Sequence, residues 1–187
     1  MTTGSPLPIS SGPVPTSELP VAPATPAPFA HRLDAPLDYN GIFTVVRDAV
    51  LRVLHRERPG LGLALSNLPP QLGAYWQLTG NLIVMNEGLV LAMQAQASTV
   101  KEYNSFVFVI LAHEYLHSLG YLEESDVRPV TELVAREALG ADHPATRMAH
   151  GDLWQQYPGL RFAPPGDGRR LKIVPRFDLG STSQYIR

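Results

Sequence analysis

The sequence predicts an α+β fold in which a small mixed sheet packs on one long, mostly buried helix. Three observations carry this. Apolar residues recur at helical spacing from Ile42 to Leu54. Three short apolar runs, LGLALS, GAYWQL and NLIVMN, follow within residues 61–86. Finally VKEYNSFVFVILAHEYLHSL, residues 100–119, is apolar on more sides than a surface helix needs.

Each element has a local reason. Ile42, Phe43, Val46, Ala49, Val50, Val53 and Leu54 make one stripe with Arg47, Asp48 and Arg52 between them, and Pro59 and Gly60 stop that amphipathic helix. LGLALS alternates as a buried strand does, while GAYWQL and NLIVMN flank Thr79 and Gly80 as two strands joined by a tight turn. After Glu87 the chain is expected to turn helical again. Ser98 or Thr99 followed by Glu102 offers a capping box for the long helix, and Gly120 stands where its C-terminus needs a left-handed residue. Asp126 is a candidate cap for a further helix over PVTELVAREAL, with Pro129 in its first turn and Gly140 at its end. A last helix is expected from Pro144 to Tyr157, with Asp142 as its cap, and LKIVPRF is a candidate strand.

Residues 1–36 differ from the rest: Pro, Ala, Ser, Thr and Val dominate, and Glu18 is the sole carboxylate before Asp34. Prolines remove backbone donors and fix one dihedral, so a disordered Pro-rich tail is expected here. Residues 37–160 then form the folded domain, and 161–187 a C-terminal extension that is partly irregular. The net charge of −2 and a pI near 6.3 argue against a polyanionic partner such as nucleic acid. With no cysteine there is no disulfide, no thiol nucleophile and no thiolate metal ligand, so any metal must be held by nitrogen and oxygen. The opening MTTGSPLPIS lacks the basic and apolar regions of a secretory signal, and no run is long and apolar enough to span a bilayer. A cytoplasmic protein without a membrane partner is the expectation.

The chemistry is concentrated in HEYLHSLGYLEE, residues 113–124. On a helix His113 and His117 lie one turn apart on one face, so both imidazoles can reach the same ion. Glu114 is rotated ~100° from His113, which puts its carboxylate beside such an ion, where it can take a proton from water. A zinc ion bound there lowers the pKa of its water to near neutrality. Two histidines and a glutamate are also costly to place near a core without a partner, which favours a metal over an accidental pattern.

HEYLH resembles the motif of the zincin metallopeptidases, and HEYLHSLGYLE extends the likeness to the metzincin pattern His-Glu-x-x-His-x-x-Gly-x-x-His/Asp. The resemblance implies a zincin-like domain over 37–160, a peptide or protein substrate, Zn2+ on His113 and His117, Glu114 as general base, and Glu123 as third ligand in place of the usual His or Asp. No methionine turn is evident, although Met148 lies downstream. TELVAREA looks similar to the glutamate helix of gluzincin-type peptidases, which offers Glu132 instead; Glu137 lies deeper, and His143 in GADHPAT is a further candidate. HxxLHSLGY also resembles the bacterial metalloendoribonucleases of ribosomal RNA maturation. Leu116, His117, Gly120 and Tyr121 fit that pattern, whereas Glu114 and Glu123 stand where it has glycine and histidine. A zincin-like binding module without catalysis is the non-enzymatic alternative, against which the intact Glu114 argues.

Lesser candidates surround the motif. Asn86 and Glu87 could line a substrate cleft, Tyr75, Trp76 and Met85 could form pockets or simply pack, and Tyr115 or Tyr121 could donate to an oxyanion. His31, His55 and His150 read as surface residues.

Overall fold

The computed structural model describes residues 27–178, and the α+β expectation holds. In chain order come α1 (Tyr39–Leu54), β1 (Gly62–Ser66), β2 (Ala74–Trp76), β3 (Leu82–Asn86), α2 (Glu87–Gln96), α3 (Val100–Ser118), α4 (Glu124–Leu139), α5 (Pro144–His150) and α6 (Leu153–Gln156). A 3-10 turn (Pro158–Phe162) and β4 (Lys172–Ile173) complete them. The sheet order is β2-β3-β1-β4, with β1 and β3 parallel and the outer strands antiparallel to their neighbours. Among the described residues no helix is long and apolar enough to cross a membrane.

Helix α3 is the axis of the domain. Every residue from Asn104 to Ala112 is buried, and α1, α4, α5 and the sheet pack around it. Its start follows the expected capping box. Thr99 Oγ1 accepts from the Glu102 N–H at 3.1 Å, and Glu102 reaches back to the Ser98 N–H at 2.7 Å, an arrangement worth about 1 kcal/mol. Its end is a Schellman turn: Gly120, at φ 102°, lets its own N–H bond to His117 O and the Tyr121 N–H to Leu116 O.

Several boundaries differ from expectation. Residues 27–36 belong to the folded body: Leu33 is fully buried, the Phe29 N–H bonds to Ala138 O, and Asn104 donates to the carbonyls of Leu33 and Ala35. Proline content masked the anchoring of this stretch by two apolar side chains and a buried amide. Residues 1–26 of the expected tail lie outside the described residues, as do 179–187 of the extension. The described part of that extension is tied down by Phe177, stacked on Phe43 at 4.5 Å, and by the buried Asp178, which accepts from Arg47 at 2.6 Å.

Helix α4 starts at Glu124, so Asp126 lies in its first turn and does not cap it, and Pro129 sits inside the helix. The single helix expected over 144–157 is two, α5 and α6, broken at Gly151 and Asp152. Asp142 does not cap α5; His143 does, its Nδ1 accepting from the Ala145 N–H at 3.1 Å. This leaves the buried His143 Nε2 without a partner. Burial, then the nearby Lys101 charge, push the His143 pKa down to about 4 against a partial opposing pull from Asp34. The unfolded chain takes up this proton near pH 6.5 and the folded one only near 4. The contribution of a neutral His143 is therefore complete above about pH 6.5 and is lost as the pH falls toward 4. His143→Asn keeps an acceptor at the cap. It is expected to remove about one proton from the pH dependence of the urea midpoint between pH 7 and 5, and an unchanged slope would contradict this.

Candidate metal centre

The last two turns of α3 and the first turn of α4 meet where Gly120 reverses the chain, and three side chains converge there. His117 Nε2 stands 3.1 Å from His113 Nε2, and Glu124 Oε1 lies 3.3 Å from His113 Nε2 and 3.4 Å from His117 Nε2. A tetrahedral zinc with bonds of about 2.0–2.1 Å holds neighbouring ligand atoms about 3.3 Å apart. The triangle therefore has the size of one face of a zinc coordination sphere, and His113, His117 and Glu124 could hold one ion.

The surroundings orient these three side chains. His117 Nδ1 lies 2.7 Å from the Tyr121 carbonyl. Donating there, a neutral His117 turns its Nε2 lone pair to the centre of the triangle. The carbonyl is in place because the Schellman turn folds Tyr121 back over the end of α3. Glu124 is held from its other oxygen by Arg128 Nε at 3.1 Å, one turn along α4. Burial acts to raise the Glu124 pKa, yet Arg128 and His113 outweigh it and hold the carboxyl below its ordinary value. Burial, foremost, lowers that of His113.

Glu123, expected as third ligand, is the N-cap residue of α4 and lies outside the group; the carboxylate that converges with the two histidines is that of the next residue, Glu124. The sequence could not fix this, because one residue of helical phase decides which carboxylate turns inward. Glu132 pairs instead with His150 at 3.1 Å, and the buried His143 is engaged at its cap. Among the described residues none of the three joins the group that the two histidines form with Glu124.

Glu114 is 5 % exposed and is not one of the three converging groups. It lines the same cleft of about 350 Å³ as His113, Glu124 and Arg128. Burial drives its pKa up to about 7, against the Trp76 backbone N–H that hydrogen-bonds it. That contact ties the carboxylate to strand β2, an edge of the sheet. In the β2–β3 ladder the Gln77 N–H bonds to Leu82 O and the Asn86 N–H to Gly73 O. By strand alternation Ala74 and Trp76 then direct their backbone groups away from β3, off the edge of the sheet.

Other residues build the cleft without lining it. Asn86 is buried: its Oδ1 accepts from the Leu68 and Gly88 N–H groups, and its Nδ2 donates to the carbonyls of Leu68, Pro69 and Leu72. It thus shapes the loop before β2. Glu87 binds Lys172 at 2.7 Å, away from any ligand group. Arg58, not singled out in the sequence, bonds Ser118 O and Gly80 O at 2.8 Å each and lies over the Trp76 ring, joining the end of α3 to the β2–β3 hairpin. The Tyr115 hydroxyl accepts from the Arg58 N–H in the interior and faces no substrate; Tyr121 contributes its carbonyl, not its ring. Met85 packs in the core, whereas Met148 lines the cleft from within α5. Comparison with family models, with curated proteins and with solved structures finds no match for this chain.

Proposed function

We propose that the protein is a zinc-dependent hydrolase of peptide bonds, with His113, His117 and Glu124 holding the metal and Glu114 acting as general base. The observation that supports this best is the triangle of ligand atoms together with a buried carboxylate beside it in an open cleft. Three protein ligands leave a coordination position for water or substrate, as a catalytic zinc requires and a structural one does not. When bound, the ion supplies Lewis-acid chemistry, polarising a carbonyl and acidifying water.

The chain's own groups would do the rest. Glu114, held by the Trp76 N–H, is oriented to accept a proton from the attacking water and to pass it to the leaving amine. Gly73 and Ala74 bring the outer side of β2 to the cleft, and an extended peptide can add to a strand edge through its own backbone. Val109 and Ile110, one turn before His113 and Glu114, give the cleft an apolar wall. The resemblance to ribosomal RNA endonucleases gains no support from the charges near the ligands, where Glu114, Glu124 and Asp152 face Arg128.

Elemental analysis of the purified chain is expected to find about one zinc per molecule, removed by chelation or by His113→Ala. Cleavage in a mixed peptide library should disappear with the metal and return when zinc is restored. A chain that binds no zinc, or binds it and cleaves no peptide, would overturn the reading.

A further inference from the structure

Beside the ligand cluster the cleft opens into a second hollow of about 390 Å³, and Gln71 and Trp154 belong to the walls of both. Pro70 and Arg161 form the rest of the second lining. The two parts differ in charge. Near the cluster the carboxylates of Glu114, Glu124 and Asp152 predominate. In the second hollow the Arg161 guanidinium is the sole formal charge, and it has no ion pair or hydrogen bond among the described residues.

The walls are anchored. Arg161 sits on the 3-10 turn between the buried Leu160 and Ala163. That turn follows Tyr157, whose hydroxyl donates to Glu102 at 2.7 Å. Trp154 is the second residue of α6, its N–H bonded to Asp152 Oδ1 at 2.8 Å. An unpaired guanidinium, a neutral amide and two apolar surfaces together match a carboxylate on a short apolar stem.

We propose that this hollow is a subsite for a substrate carboxylate, with Arg161 and Gln71 taking the charge and Trp154 and Pro70 covering the stem. The inference rests on the peptide-hydrolase reading and narrows it: the substrate carries an acidic side chain or a free chain end at a distance from the bond that is cut. Arg161 draws such a group to the far side of Trp154, where no carboxylate lines the hollow. Arg161 is thus a specificity-determining residue that takes no part in the proton transfers.

The test is a binding measurement on the full chain loaded with zinc and carrying Glu114→Gln, so that no peptide is consumed. Alanine-based hexapeptides with Glu or Gln at each position in turn, each ending in a carboxylate or an amide, are titrated by calorimetry. The best acidic peptide is expected to bind about tenfold more tightly than its neutral isostere. Arg161→Gln should erase that difference and leave the neutral peptide's affinity unchanged. A response confined to the Glu series assigns the subsite to a side chain, and one confined to the free carboxylate assigns it to a chain end. Equal binding of acidic and neutral peptides, a preference that survives Arg161→Gln, or no binding by any peptide overturns the subsite. The hydrolase reading fails separately, if the parent zinc-loaded chain cleaves no peptide.

Discussion

Glu114→Gln is expected to retain zinc at the parent level and to lose peptide hydrolysis by about 10²–10⁴-fold, the usual contribution of a positioned general base. The two side chains have nearly the same shape, and the amide oxygen of glutamine can still accept from the Trp76 N–H that fixes the carboxylate. What disappears is the capacity to take a proton. Because Glu114 stands outside the three converging ligand groups, the metal has no reason to leave. The carboxylate is also buried against its preference, so the variant should unfold at the same temperature as the parent or a higher one. Elemental analysis, thermal melting and a single hydrolysis assay on the same preparation separate these effects. Parent-like turnover in the variant would remove Glu114 from the mechanism, and loss of metal would make it a ligand.

The second large effect concerns the third ligand. Glu124→Ala is expected to weaken zinc binding by more than about 100-fold, beyond the 10–100-fold range typical of groups that only support a ligand. Glu123→Ala and Glu132→Ala should stay near the parent, since one is the N-cap residue of α4 and the other pairs with His150. Arg128→Ala falls between them at about tenfold, because it frees a carboxylate that must then be ordered by the ion alone. A competition titration against a chelator gives the ranking. If Glu123→Ala proved the weakest binder, the first turn of α4 would have to be wound one residue differently around the ion.

Elements whose signals are local could be read from the sequence. The stripe of α1, the capping box of α3, Gly120 at its end and the hairpin around Thr79 and Gly80 all depend on residues within a few positions of one another. So does the geometry of His113, Glu114 and His117, which a single helix presents together. The remainder depends on where separate segments meet. Glu124 becomes a neighbour of the histidines only through the angle at which α4 leaves the turn, and Asp126 loses its expected capping role for the same reason. Asn86 and Arg58 are polar residues of ordinary local context; their importance comes from carbonyls in the loop before β2 and at the end of α3, which sequence does not bring together. The helix expected over 144–157 failed at Gly151, where the chain is extended at φ −110° and Asp152 starts a new helix.

Arg47 and Asp178 are 131 positions apart, yet they form one ion pair. During synthesis at about 5–20 residues per second the buried Asp178 carboxylate follows Arg47 by on the order of 10 s, while Glu57, 3.9 Å from the same guanidinium, follows it almost at once. Throughout that interval Arg47 lacks its closer, buried partner, and Phe43 lacks the ring that stacks on it. The contacts of Phe177 and Asp178 with α1 are therefore the last of these to become available to a growing chain. His113, His117 and Glu124 are all made before that moment.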